Sequence, residues 1–558
     1  MDEVKQMEIK IKQISEMEKI RTASECMAAA EKNSALLLRG EHMAYQTAAL
    51  TERTIPVRVK IESDIAECVK AFVVCGAAMD FPIYQDCRDE DYITREAGLM
   101  PDILVPLEKQ HGQMRASGLD VLWIDIDNTY GVACGEHYVK VTVEGANPLD
   151  DAAAVESVMN INVIDTALPK QKTLFTQWFY ADCIATAHNV EIYSEEHWSL
   201  IEKYIKTAAE LGINMILTPV ITPPLDTGVG ELRPDVQLLK IDKNGEKYSF
   251  DFSGIKRWIE LCKKYGIEHF EISHLFSQWG LEYSPNIYVF ENGEKKHMFG
   301  WHVKAESKEY REFLGQLLPE LMKFLEGMEV AENCYFHISD EPSIDHIENY
   351  RSAYELVKPL LGNAKTMDAL SNIEFYNHGL VPTPVTAIDH IEPFLEQKIE
   401  NQWAYYCCGQ TTDVGNRFLA MPAYRNRILG LQMYLYNIEG FLQWGYNFYF
   451  SQLSVYEINP YMTTSSDKAF PSGDPFSVYP SKDGVYPSMR AYIFKDALQD
   501  AEICRALEKR IGREKVEDII KNEAGMKITF KKYPRNSEFV PQLMNKMRKM
   551  IAEFDAKK

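Results

Sequence analysis

The run Cys-Tyr-Phe-His-Ile-Ser-Asp-Glu-Pro-Ser, residues 334–343, carries an apolar stretch into two adjacent carboxylates, Asp340 and Glu341, and then Pro342. Neighbouring carboxylates repel each other and lose hydration when buried. The pair therefore belongs either to a solvated loop opened by Pro342 or to a site that moves protons. Other reactive or ligand-facing residues close further apolar runs. They are Trp178, Tyr180 and Asp182; His274, followed by Trp279; Asp368; Asp389; Trp403, Tyr405 and Tyr406; and Trp444, Tyr446 and Asn447. Carboxylates among aromatic rings suit a sugar site, because ring faces stack on pyranose C–H surfaces while carboxylates handle hydroxyls and protons. Each residue also has a plainer reading. Tryptophans fill cores, Asp368 and Asp389 can cap helices, and His337, two residues inside its strand, can be a satisfied interior side chain. His274, at a strand end, fits either reading.

These residues share a position in a repeating pattern. From residue 173, short apolar strands alternate with amphipathic helices: 173–180, 214–220, 268–275, 335–339, 364–368, 385–389, 401–406 and 440–446. Between them, Tyr310, Phe313, Leu317, Leu321 and Phe324 step by three or four, as do Ile344, Ile347, Tyr350, Tyr354, Val357 and Leu361, giving single apolar stripes. Gly212 and Gly266 follow charged last turns, where a left-handed helix stop is expected. Eight such units predict a (β/α)8 TIM-like barrel, whose active site lies at the carboxyl ends of its strands. The fifth and sixth strands are short and their helices weak.

The first ~165 residues read as β structure. In 137–145, Val139, Val141 and Val143 alternate with Tyr138, Lys140 and Thr142, one face buried. Strands at 121–128 and 137–145 flank a loop with Gly131 and Gly135, and a β-sandwich fits best. The expected organisation is a sandwich at 1–168, the catalytic barrel at 169–486 with a long loop over 451–490, and a C-terminal helical extension at 487–558 packed on the barrel.

The 558 residues hold 60 basic and 82 acidic side chains, a net charge of −22, which argues against nucleic acid or an anionic membrane as partner. No segment approaches the ~18 apolar residues of a membrane span, and the charged N-terminus has no apolar leader core. A cytoplasmic protein is expected, or a secreted one if a leader has been removed. Eleven cysteines without a C-x-x-C pair fit buried free thiols; no metal or organic cofactor is expected.

Mechanism narrows the reading of Asp340–Glu341. Two-carboxylate retaining glycosidases hold their carboxyls ~5–5.5 Å apart across the sugar, from different strands. Sequence neighbours cannot easily clamp both faces of one anomeric carbon. They do suit a substrate-assisted route, in which a 2-acetamido oxygen attacks and the two carboxylates orient the acetamido group and protonate the leaving oxygen.

The stretch 299–342, with its Gly-Trp, its E-Y-x-x-F-L helix and its strand ending Asp-Glu-Pro, resembles the catalytic core of glycoside hydrolase family 123. Residues 122–145 and the late Gly-Phe-Leu-Gln-Trp-Gly-Tyr-Asn-Phe-Tyr, 440–449, are similar to that family's sandwich and last barrel strand. The resemblance implies an exo-acting β-N-acetylgalactosaminidase working through an oxazolinium intermediate. Asp340 would then stabilise the acetamido group and Glu341 would be the general acid/base. Tyr405 or Tyr406 would hold the acetamido carbonyl, and Trp403 and Trp444 would wall the pocket. Trp178, His274, Tyr446 and Asn447 complete the expected substrate-binding set. The partner would be an oligosaccharide or glycoside with terminal N-acetylgalactosamine. N-acetylglucosamine, another 2-acetamido sugar, or a non-catalytic glycan-binding barrel are the alternatives.

Overall fold

The computed structural model describes residues 8–52, 54–107, 111–116, 118–127, 131–147 and 153–557. The first seven residues, and Thr129 and Tyr130 of the expected sandwich loop, lie outside the described residues. The chain forms two compact units: Met1–Lys172 with Thr412–Leu435 and Tyr486–Lys558, and Thr173–Thr411 with Tyr436–Val485.

The first unit contains a sandwich of two five-stranded sheets. One runs in the order 9–15, 43–51, 119–126, 69–79, 98–106; the other 34–39, 155–167, 135–145, 55–63, 111–116. The alternation at 137–145 is realised: Val139, Val141 and Val143 are buried, and they share a core with Val57, Val59, Leu122 and Ile124. The C-terminal helices 489–511, 513–524 and 539–555 fall in this unit. There Leu507, Leu543, Met547 and Ile551 form a core with Leu38, Leu168 and Leu431.

The second unit holds a closed barrel of eight parallel strands: β1 (Leu174–Gln177), β2 (Met215–Thr218), β3 (His269–Ile272), β4 (Cys334–Phe336), β5 (Lys365–Leu370), β6 (Thr383–Ala387), β7 (Trp403–Tyr405) and β8 (Gly440–Gln443). β8 closes on β1 through Leu174↔Gly440 to Gln177↔Gln443. All eight expected strands are present. Helix Lys308–Gly327, which precedes β4, buries Tyr310, Phe313, Leu317 and Leu321 as its stripe requires. Ser307 caps it by accepting the Tyr310 N–H. Gly212 (φ +87) and Gly266 (φ +82) make the expected left-handed stops.

A four-stranded sheet, ordered 247–251, 240–244, 287–291, 294–299, is inserted in the same unit. One hairpin pairs Glu291 with Glu294 and turns on Asn292-Gly293, both at positive φ, as an Asn-Gly turn favours. The other pairs Asn244 with Lys247 and turns on Gly245-Glu246, with glycine supplying the positive φ at the first turn position.

Candidate active site

β4 ends at Phe336, and the chain then turns so that Asp340 and Glu341 face one pocket. Glu341 sits at φ +42, a backbone region non-glycine residues rarely occupy. Pro342 disfavours the right-handed helical conformation for the residue before it. The pocket is walled by Trp178 and Tyr180 past β1, Tyr405 on β7, and Trp444 and Phe470. Gln278 and Trp279 reach it from the loop after β3.

Asp340 is 6% exposed, and its Oδ2 accepts from Gln278 Nε2 at 2.8 Å. Gln278 Oε1 in turn accepts the Asp226 N–H at 2.5 Å, which fixes the amide's orientation. The Tyr405 hydroxyl donates to Glu341 Oε1 at 2.6 Å. Burial and the Glu341 charge push the Asp340 carboxyl well above the usual carboxylate range, outweighing Gln278 and the nearby positive His337. Glu341 is open to solvent at the pocket surface, yet surrounding protein thins its hydration and raises its pKa. The Tyr405 bond acts in the opposite sense, and the Asp389 charge adds to the rise. Two neighbouring carboxyls raised together hold a proton between them to a higher pH than isolated acids would. Asp226, also in the pocket, is raised to about 6 by burial.

Beneath the pocket lies a buried charge chain. His337 is raised to about 9: burial alone would lower it, but hydrogen bonds to Asp368 and Glu271, and their charges, prevail. It donates through Nδ1 to Asp368 Oδ1 (3.1 Å) and through Nε2 to Glu271 Oε2 (2.9 Å). Glu271 also accepts from Thr176 Oγ1 and, at 2.9 Å, from Trp178 Nε1. Asp368 accepts the N–H groups of Ile338 and Ser339 and the Tyr350 hydroxyl. One imidazolium and two carboxylates thus fix both the Trp178 wall and the backbone that delivers Asp340. Asp368 is neither a helix cap nor a pocket residue; it lies inside β5, fully buried.

The structure separates the expected binding residues. Trp178, Tyr405 and Trp444 line the pocket with Asp340 and Glu341. Trp444 is held by its indole N–H on Asp474 Oδ2 at 2.9 Å. Asn447 is fully buried and acts one step back, clasping the Tyr180 backbone N–H and carbonyl at 2.9 Å each. Three expectations are corrected. Trp403 opens β7 at its amino end, away from the pocket, and packs on Tyr335 and against Gly440. Tyr446 is core, its ring stacked on Phe179 and its hydroxyl donating to the Tyr204 carbonyl. His274 is fully buried against His337, with ring centroids 4.3 Å apart, and burial keeps it neutral. Tyr406, the other tyrosine considered, is buried against Phe441 outside the pocket lining. Sequence reasoning missed Gln278, Asp226 and Phe470. Phe470 comes from the stretch read as a loop and carried no signal of its own, while Gln278 was marked only by directly preceding Trp279.

Among the described residues, His274, His337 and Asp368 bring possible metal-ligand atoms within 4.8 Å of one another. The two imidazoles, however, are stacked with planes 18° apart, so their in-plane lone pairs run side by side rather than converging. Both His337 nitrogens already face carboxylates. The group is a charge network, not a built metal site.

The family model described as "Glycoside hydrolase 123, catalytic domain" matches residues 178–507. A solved family 123 glycoside hydrolase from Clostridium perfringens, studied for glycolipid glycan hydrolysis, has the same fold at 14% identity; the match covers 98% of each chain, with a TM-score of 0.72. A β-glucuronidase from Bacteroides uniformis matches 83% of this chain and 50% of its own at 8% identity; its TM-score of 0.28 is too low to bear on the site. No curated protein matches the sequence.

Proposed function

The chain belongs to glycoside hydrolase family 123, and from that membership we propose that it removes terminal β-linked N-acetylgalactosamine, with the sugar's 2-acetamido oxygen as nucleophile. The observation that carries this reading is the convergence of the adjacent Asp340 and Glu341 with the Tyr405 hydroxyl in one aromatic-walled pocket.

The acetamido oxygen attacks the anomeric carbon as the glycosidic C–O bond breaks, and Glu341 gives its proton to the leaving oxygen. Asp340 accepts the acetamido N–H and stabilises the positive oxazolinium. Water then adds at the anomeric carbon, giving its proton to Glu341, and the configuration is retained overall. Tyr405 is the better candidate for the acetamido carbonyl, since Tyr406 lies outside the pocket. Its present bond to Glu341 lowers that carboxyl's pKa. Passing the bond to the substrate carbonyl removes this restraint, so substrate arrival itself favours the protonated acid that the first step requires.

Hydrolysis of 4-nitrophenyl β-N-acetylgalactosaminide, compared with the β-N-acetylglucosaminide, tests the reading. The galactosaminide is expected to be cleaved faster, and Glu341→Gln and Asp340→Asn are each expected to cost about 10²-fold or more in kcat/KM. Wild-type turnover in both variants would sink the assignment. The Clostridium relative is described for glycolipid glycans, so glycolipid oligosaccharides are the first natural substrates to try.

A further inference from the structure

Most of the pocket wall is buried, but Trp279 is 45% exposed while lining the same cavity as Asp340 and Glu341. Among the described residues, none stacks on its ring or accepts its indole N–H. Its backbone is at φ +61, and Leu281, two residues on, is at φ +55. Bulky side chains are disfavoured in this left-handed region, which glycine or asparagine would occupy more easily. The surrounding contacts hold the loop there. The Trp279 N–H donates to the Asp340 carbonyl at 3.2 Å and the Gly280 N–H to the Gln278 carbonyl at 2.7 Å. Ser339 Oγ donates to the Ser277 carbonyl at 3.0 Å, and Asn349 Nδ2 to the Gly280 carbonyl at 3.2 Å. The same loop thus sends Gln278 inward onto Asp340 and leaves a large, unpartnered aromatic face at the pocket mouth. Strain maintained by so many contacts points to a role for the residue it displays.

We propose that Trp279 is the platform for the leaving group, stacking on the C–H face of the hexopyranose beyond the scissile bond. This rests on the hydrolase reading above. The terminal sugar must place its anomeric carbon and acetamido group against Asp340 and Glu341, among the buried walls formed by Trp178, Tyr180 and Tyr405. What then projects past the mouth is the group being released, and an exposed indole face is suited to a carbohydrate there.

The test compares two substrates with the same terminal β-N-acetylgalactosamine: an oligosaccharide, and the glycosyl fluoride, whose leaving group is too small to reach the platform. Trp279→Asn keeps a residue tolerant of the left-handed backbone and removes the indole. It is expected to lower kcat/KM for the oligosaccharide roughly tenfold more than for the fluoride, mainly through KM, with Trp279→Phe recovering most of the loss. Trp279→Gly, which also accepts this backbone, repeats the comparison should the asparagine variant fold poorly. Equal losses on both substrates, or no loss on the oligosaccharide, would overturn the platform alone. If the wild type cleaves neither substrate nor their N-acetylglucosamine counterparts, the hydrolase reading fails first and the platform falls with it.

Discussion

In the proposed mechanism Asp340 and Glu341 can take different roles as neighbours because their surroundings treat the two differently. Asp340 is buried and bonded to Gln278, while Glu341 is open to the pocket and bonded to Tyr405. That asymmetry suits one group that stays with the acetamido nitrogen and one that exchanges protons. Removing the Tyr405 hydroxyl tests it. Its hydrogen bond favours the Glu341 carboxylate, so Tyr405→Phe is expected to raise the Glu341 pKa and move the basic limb of the kcat/KM profile to higher pH. Turnover should also fall, by about 10- to 100-fold, from loss of the carbonyl donor. A basic limb that moves to lower pH would contradict the role given to the bond. His337 offers a second test, in stability. Its pKa in the fold is about 9, above the ordinary 6.5. Its stabilising contribution is therefore complete below about pH 6.5 and is lost as pH rises through about 9. Replacing it leaves Glu271 and Asp368 buried without their cation, so His337→Gln is expected to cost ~3–5 kcal/mol at pH 6.5. Denaturant titrations should show the gap from wild type narrowing toward pH 9.5.

The strands of the barrel were legible in the sequence because each is a short apolar run bracketed by helical periodicity, and their carboxyl ends pointed to Asp340, Glu341, Trp178, Tyr405 and Trp444, which line one pocket. What failed was the assumption that any aromatic residue near a strand's end faces the ligand. Trp403 and Tyr405 are two residues apart on one three-residue strand, but Trp403 stands at the amino end, over Gly440, and Tyr405 at the pocket. Composition alone does not carry that distinction. The inserted sheet was missed for another reason: its two Asn-Gly pairs were plain in the sequence, but the hairpins break no barrel strand and so left the count of eight intact. The buried chain from Trp178 to Asp368 unites residues on or just past β1, β3, β4 and β5, and no local pattern announces it. The Trp403–Gly440 contact gives a prediction at this scale. A Cβ on Gly440 would lie 2.3 Å from the indole, so Gly440→Ala is expected to destabilise the barrel by ~1–3 kcal/mol in denaturant unfolding. A neutral effect would mean that Trp403 moves freely, contrary to its place in the core.

At the scale of the molecule, a fold shared across 98% of two chains at 14% identity shows how little of a barrel-and-sandwich framework depends on particular residues, while the proposed chemistry depends on a few. The framework has its own requirements. Helix Phe539–Asp555 places Leu543, Met547 and Ile551 in one core with Leu38 and Leu168 of the sandwich strands and their continuation. Its deletion is expected to uncover that core and make the sandwich-containing unit sensitive to proteolysis; an unchanged digestion pattern would contradict this packing. For the catalytic account, the most direct measurement is the rate of 4-nitrophenyl β-N-acetylgalactosaminide hydrolysis as the acetyl methyl carries zero to three fluorines. If the substrate's own carbonyl oxygen is the nucleophile delivered by Asp340 and protonation by Glu341, kcat/KM falls steeply with each fluorine. A flat series would show that the acetamido group takes no part in bond breaking and would contradict the account.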